Sequence, residues 1–167
     1  MTETPQQYTK RMLANVEGRE ALAVQAATPD AIGRLIDGVP SAALRVRPTP
    51  ERWSVGEILA HLADAEIVIG FRMRLILGSP GIALAAYDQN SWVSSGHYDR
   101  RDPKQSLEQL RVLREGNLAL LASLDEEQWS HYGVHAERGR ESIEHIVRMT
   151  AGHDVNHLRQ IEQIVRS

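Results

Sequence analysis

The segment HDVNH places His153 and His157 four residues apart, so on a helix the two imidazoles would share one face, one turn from each other. Imidazole is the commonest metal-ligating side chain and binds as the neutral base. The chain holds seven histidines and no cysteine. Disulfides, thiolate ligands and a cysteine nucleophile are therefore excluded, and any metal must be held by nitrogen and oxygen. Around the pair, Ile143, Ile146, Thr150, His153, His157, Ile161 and Ile164 form one helical stripe, with the imidazoles where a bundle ordinarily places leucine or isoleucine. Two readings compete. The rings are hydrogen-bonded core histidines, or they are ligands. Each neutral ring needs both a donor and an acceptor partner, and a shared ion helps to resolve that demand for two stacked rings.

The same spacing occurs in the HExxH helix of zinc proteases, but here Asp154 stands at the glutamate position and only ten residues follow His157. A third ligand has to come from another helix. His61, in WSVGEILAHLADAE, is the candidate, since it lies about 60° from Ile58 around the helix, on the flank of an apolar stripe. Three neutral imidazoles with a remaining position for water form an open, catalytic type of site. Their protonation would empty the site below about pH 6.

The elements that must position these rings are helical. Ser54 and Glu57 form a capping-box pattern with Trp53 and Ile58 as a hydrophobic staple, and Val55, Ile58, Leu62, Ile69 and Ile76 make 54–77 an amphipathic helix. Asp102 caps a second helix over 103–123, with Pro103 at its first position, Gln105 as reciprocal partner, and Leu107, Leu110, Leu113, Leu118 and Leu121 as its stripe. A third runs over 141–165. Thr28–Pro29 and Thr4–Pro5 read as the starts of two further helices, the first with Ile32, Leu35, Ile36 and Val39 inward. No segment reads as a convincing strand. The expected architecture is all-α, a four-helix bundle with an N-terminal helical extension, formed by residues 1–167 as one domain. The long connections 78–102 and 125–140 are places where function concentrates.

Two blocks, Trp53-Ser54-x-x-Glu57-x-x-x-His61 and His153-Asp154-x-x-His157-x-x-Gln160-Ile161, resemble those of the DinB/YfiT-like superfamily of candidate metalloenzymes, and the resemblance runs from about Thr28 to Val165. It implies an up-down-down-up bundle, commonly a homodimer, with one divalent metal ion on His61, His153 and His157. Zinc or nickel are the ions expected first on imidazole, although the ligand set alone does not choose between them. Characterised relatives include bacillithiol-dependent thiol transferases and a mycothiol-dependent maleylpyruvate isomerase. The function this implies is metal-dependent activation of a low-molecular-weight thiol cosubstrate or of a water, acting on a small-molecule substrate. A metal-dependent hydrolase and a stress-related binding protein without turnover are the alternatives.

Other residues stand near this chemistry. His135 matches a histidine common before the last helix of the family. It could edge a pocket or cap that helix. Tyr87, Asp88 and Trp92, in YDQNSW, could line a substrate mouth or make a turn. Gln160 and Asp154 could orient the ligating rings, but Asp154, about 100° around the helix from His153, reads rather as a solvent-facing or helix-surface residue. His97, His131 and His145 read as surface residues. The 19 basic and 22 acidic residues are intermixed, giving a net charge of −3 and no basic footprint for nucleic acid. No apolar run is long enough to span a bilayer, and the first twenty residues hold no apolar signal core, so the cytoplasm is the expected compartment.

Overall fold

The computed structural model describes residues 3–166. In chain order these form helices α1 (Pro5–Ala14), α2 (Ala21–Leu35), α3 (Ser41–Leu44) and α4 (Val55–Gly78), strand β1 (Ala83–Leu84) and helix α5 (Gln89–Ser95). A 3-10 turn at Tyr98–Arg100 follows, then α6 (Pro103–Ala122), α7 (Glu126–Ser130), strands β2 (Tyr132–His135) and β3 (Gly139–Ser142), and α8 (Ile143–Val165). The Ser54 hydroxyl accepts the Glu57 amide at 3.2 Å while the Glu57 carboxylate accepts the Ser54 amide at 2.8 Å, so the capping box opens α4 as its sequence predicts. Asp102 caps α6 through the amides of Lys104 and Gln105, without the reciprocal bond expected from the Gln105 side chain.

Helices α2, α4, α6 and α8 form a ring in which each packs on two neighbours. The order in which they meet the core gives their directions. One apolar cluster gathers Ile32 of α2 and Ile36 at its end, Val55 to Leu62 of α4, Leu107 and Leu110 of α6, and Ile161 of α8. The other gathers Met73 and Ile76 of α4, Leu121 of α6 and Ile143 to Val147 of α8, with Ala21 and Leu22 of α2 against it. Thus α4 and α6 run from the first cluster to the second, and α2 and α8 run back. The topology is up-down-down-up, and the fold is a four-helix bundle. Between the clusters lies a polar layer, His61, Glu66, Arg114, Asn117, Thr150, Asp154 and His157, all buried.

Three expectations are corrected. Thr28–Pro29 does not start a helix, because Glu20 caps α2 and the helix continues through Pro29. Proline lacks the amide that would donate to the Gln25 carbonyl. Arg114 Nη1 donates to that carbonyl instead, at 2.8 Å, so the break in the ladder is satisfied from another helix. Second, a small sheet is present, with β1 parallel to β2 and β2 antiparallel to β3, where no strand was expected. Its strands are two to four residues long, too short to show a period-two pattern. Third, β3 takes Glu141 and Ser142 from the proposed helical stretch, and Ser142 becomes the cap of α8 by accepting the His145 amide. Among the described residues no helix is long and apolar enough to cross a membrane.

Helix α1 lies on α8 at Gly152, where a Cβ would collide with the Met12 carbonyl oxygen. Asn15 Nδ2 donates to Gly152 O at 3.0 Å, and Arg159 donates to the Asn15 side chain at 2.7 Å. Gly152→Ala must therefore push α1 away, and the overpacking should cost about 1–3 kcal/mol in urea unfolding. Wild-type stability in that variant would show that the two backbones do not touch this closely.

Candidate metal centre

His61 occurs where α4 is buried on every side, and the Trp53 ring leans on it with centroids 5.1 Å apart. His153 and His157 present from α8, antiparallel to α4. The His61 and His153 Nε2 atoms are 3.0 Å apart, and so are those of His157 and His153. The three histidines form the one cluster of potential metal ligands found among the described residues, with one ligand atom from each within 4.8 Å of the others. Two imidazole nitrogens each about 2.1 Å from one ion lie about 3 Å from one another, so the spacing suits a shared cation.

Hydrogen bonding among the rings leaves a lone pair that a cation would accept. His157 Nδ1–H donates to Gln160 Oε1 at 2.8 Å, which leaves His157 Nε2 as a bare lone pair. His153 Nε2 faces both His157 Nε2 and His61 Nε2. If it carries a proton it can serve one of them well; if it does not, two lone pairs meet at 3.0 Å. A divalent ion would accept all three.

Burial keeps the rings neutral, the form that binds metal. It pushes His61 down to about 4 and, with the neighbouring His61, pushes His157 down to about 3. His153 is held well below the usual histidine range by burial and by His157 and His61.

A cavity of about 670 Å³ opens beside this cluster, within the size range of small-molecule sites. His61 and His153 line it, and His157 sits behind them. Its walls are helical faces, Ala65, Val68 and Ile69 on α4 and Ile146, Met149 and Thr150 on α8. Arg72 and Arg138 also line it, as do residues of the α1 start and of the 86–90 segment.

The remaining candidates separate. Tyr87 lines the cavity, stacked on Trp92 at 4.5 Å between centroids, and burial pushes its hydroxyl up. Asp88 also borders the cavity, but its carboxylate accepts the Asn90 amide and caps α5. Gln160 lies off the cavity and holds the His157 ring. His135 is buried in β2 behind Arg72 rather than capping α8, and it does not line the cavity. His97 is exposed and His145 is half-buried at the start of α8.

Asp154 is a correction. It does not face solvent but is buried, bound through both oxygens to Arg114 at 2.6 and 3.2 Å. Arg114 also meets Glu66 Oε2 at 2.9 Å, and Asn117 Nδ2 donates to Glu66 at 2.8 Å. One guanidinium from α6 thus ties together α4 and α8, the helices that carry the histidines. The sequence reading also missed Arg72, Arg138 and Tyr8 in the cavity wall. Arg72 could have been found, because eleven residues after His61 is three helical turns, on nearly the same face.

Comparison with known proteins identifies the family and the fold. The chain is 27% identical over 122 residues to YfiT of Bacillus subtilis (strain 168), whose name marks it as a candidate metal-dependent hydrolase. It is 28% identical over 111 residues to a protein of Oceanobacillus iheyensis with the same designation. Those matches span 71% and 66% of this chain and 68% and 63% of the relatives, about two thirds of their length. The solved structure of Bacillus subtilis YfiT, described as an unusual four-helix bundle, superposes with a TM-score of 0.81 at 21% identity, covering 99% of this chain and 89% of that one. A mycothiol-dependent maleylpyruvate isomerase shares the fold more loosely, with a TM-score of 0.58 at 14% identity over 87% of this chain and 56% of its own. The DinB superfamily pattern matches residues 26–161, which include all three clustered histidines and the whole four-helix ring except the ends of α2 and α8, and the chain belongs to that superfamily.

Proposed function

We propose that residues 1–167 act as one metal-dependent enzyme domain in which His61, His153 and His157 hold a single divalent ion, zinc or nickel, at the end of the cavity. The observation that carries this reading is the convergence of three Nε2 atoms with more lone pairs than protons, two of their rings facing a cavity large enough for a small molecule. When bound, such an ion lowers the pKa of a water or thiol ligand and so supplies a nucleophile near neutral pH. The protein's own groups prepare the rest. Gln160 fixes the His157 tautomer, Trp53 packs the His61 ring, and burial of His61 and His157 keeps bulk water from the back of the site. Tyr8, its hydroxyl pushed up to about 12 by burial, stays protonated and can donate a hydrogen bond to a substrate oxygen.

Water is the nucleophile favoured by the relatives, which are named as hydrolases. Thiol transfer would use the same site. With no cysteine in the chain, the thiol would come from a low-molecular-weight cosubstrate, as the mycothiol dependence of the looser structural neighbour illustrates. Three ligands beside an open cavity favour turnover over storage in a closed, fully ligated site. Metal analysis of tag-free protein, followed by parallel assays of ester or amide hydrolysis and of thiol addition to electrophiles, tests the reading. Stoichiometric metal with chelator-sensitive turnover supports it, and absence of tight metal binding ends it. A cytoplasmic homodimer acting on a small molecule completes the proposal, resting on the family resemblance. Ile67 and Phe71, exposed one turn apart on α4, are apolar surface that such a dimer could cover.

The depressed histidine pKa values fix a pH dependence. As pH falls below 6.5, the unfolded chain takes up protons on these rings before the folded chain does. Stability of the metal-free protein should therefore be complete above that range and decline between pH 6.5 and about 4. Occupancy should also persist to lower pH than the ordinary histidine range suggested, falling nearer pH 4 than pH 6. Metal-free urea midpoints and metal retention measured across pH 4 to pH 7 check both statements. Metal lost completely at pH 6 would show that the rings protonate as if exposed.

A further inference from the structure

Arg72 is a charged group in the cavity that the metal reading leaves unused. It is half-buried, and among the described residues it has no carboxylate within ion-pair distance. The other cavity arginine differs, because Arg138 is bound to the Glu141 carboxylate at 2.6 and 3.1 Å. Arg72 Nη2 donates to Ala85 O, and its guanidinium faces the Tyr87 ring with 5.8 Å to the centroid. The same Nη2 lies 3.3 Å from His135 Nε2. The Glu137 amide donates to His135 Nδ1 at 3.2 Å, so the neutral ring carries its proton on Nε2. The His135 N–H therefore faces the Arg72 donor and gives it no acceptor, so beyond Ala85 O the guanidinium keeps donors free for an anionic oxygen in the cavity. Burial and the nearby Arg138 disfavour the charge on Arg72, Glu141 and Tyr87 offset only part of that cost, and a bound anion would offset more.

The wall between Arg72 and the histidines is mainly apolar, and its Thr150 hydroxyl is taken up by Ile146 O. Arg72 follows His61 by eleven residues, about 16 Å along the axis, and its side chain leans back toward the helix start, which leaves a span on the order of 10 Å. A guanidinium matches a carboxylate through two parallel N–H···O bonds.

We propose that the cavity takes a small amphiphilic acid, with its carboxylate on Arg72, its apolar stem against Val68, Ile69, Ile146 and Met149, and its other end at the three histidines. The identity of that other end as the reacting group rests on the metal-dependent reading above; carboxylate binding does not. Octanoate, with a stem of about the required span, is a suitable probe, and octanamide is its uncharged counterpart.

Calorimetric titration of metal-free protein at neutral pH should show octanoate binding at least tenfold more tightly than octanamide. Arg72→Gln should remove that preference, and Arg72→Lys should retain part of it. Equal affinity of the wild-type protein for the two probes overturns the proposal without requiring any variant to fold. An undiminished preference in folded Arg72→Gln overturns it as well. Because the metal is absent throughout, a charge preference found alongside failed metal titration upholds the acid subsite while ending the metal reading. Tight metal binding without a charge preference does the reverse.

Discussion

His157→Ala will weaken divalent metal binding by more than about 100-fold, because it removes one of three nitrogens and opens the back of the site. Removing only a partner that orients a ligand costs about 10–100-fold in characterised metal sites, so Gln160→Ala, which frees the His157 ring to turn, should fall near the lower end of that range. His97→Ala and His145→Ala should bind as wild type, since neither ring reaches the cluster. Competition titration against a chelating indicator, with circular dichroism as a check on folding, separates the four variants. The ordering matters more than any single value. A Gln160→Ala loss equal to that of His157→Ala would mean that ring orientation, not ligand number, controls affinity. Stoichiometric binding by His157→Ala at wild-type affinity would remove the ion from these residues altogether.

The convergence of the three histidines is legible in the sequence because their spacing coincides with helix geometry. His153 and His157 lie one turn apart inside an apolar stripe, and His61 follows a capping box that fixes the phase of α4. The Thr-Pro rule shows where such local signals stop. At Thr4–Pro5 it marks a helix start; at Thr28–Pro29 it does not, because Arg114, 85 residues away, supplies the donor that the proline lacks. The stripe of α6 was misread for a related reason. Leu113 and Leu118 belong to the expected stripe, whereas from Leu107 onward the buried positions are Leu107, Leu110, Arg114, Asn117 and Leu121, a 3-4-3-4 spacing with two polar members. Asp154 was assigned outward because it lies about 100° from His153, but α8 packs against α1, α2 and α4, so more than one of its faces is inside. Polar residues at core positions become readable only when their partners on other helices are known.

Those partners make Arg114 the residue whose loss should cost the fold most. Its guanidinium is almost fully buried against the equally buried carboxylates of Glu66 and Asp154, and it also serves Gln25 O. Arg114→Met would strand two carboxylates in the bundle interior, a change worth about 3–5 kcal/mol in comparable buried pairs and a large share of the ~5–15 kcal/mol that holds a domain together. Burial already pushes the Asp154 carboxyl up against the lowering effect of Arg114. Without the arginine it rises further, so the folded variant binds a proton that the unfolded chain does not. Its deficit relative to wild type should accordingly shrink as pH is lowered toward the carboxylate range and widen as pH rises. Neutralising the whole network with Glu66→Gln and Asp154→Asn should recover much of the stability, because the cost lies in the unpaired charges. Metal affinity should follow the same pattern, falling in Arg114→Met and returning in part in the triple variant, because the network joins α4 and α8 within the layer that holds the histidines. Urea unfolding at several pH values, with metal titration of each variant, reads both effects. A pH-independent deficit in Arg114→Met, or a triple variant no more stable than the single one, would mean that lost packing rather than stranded charge sets the cost.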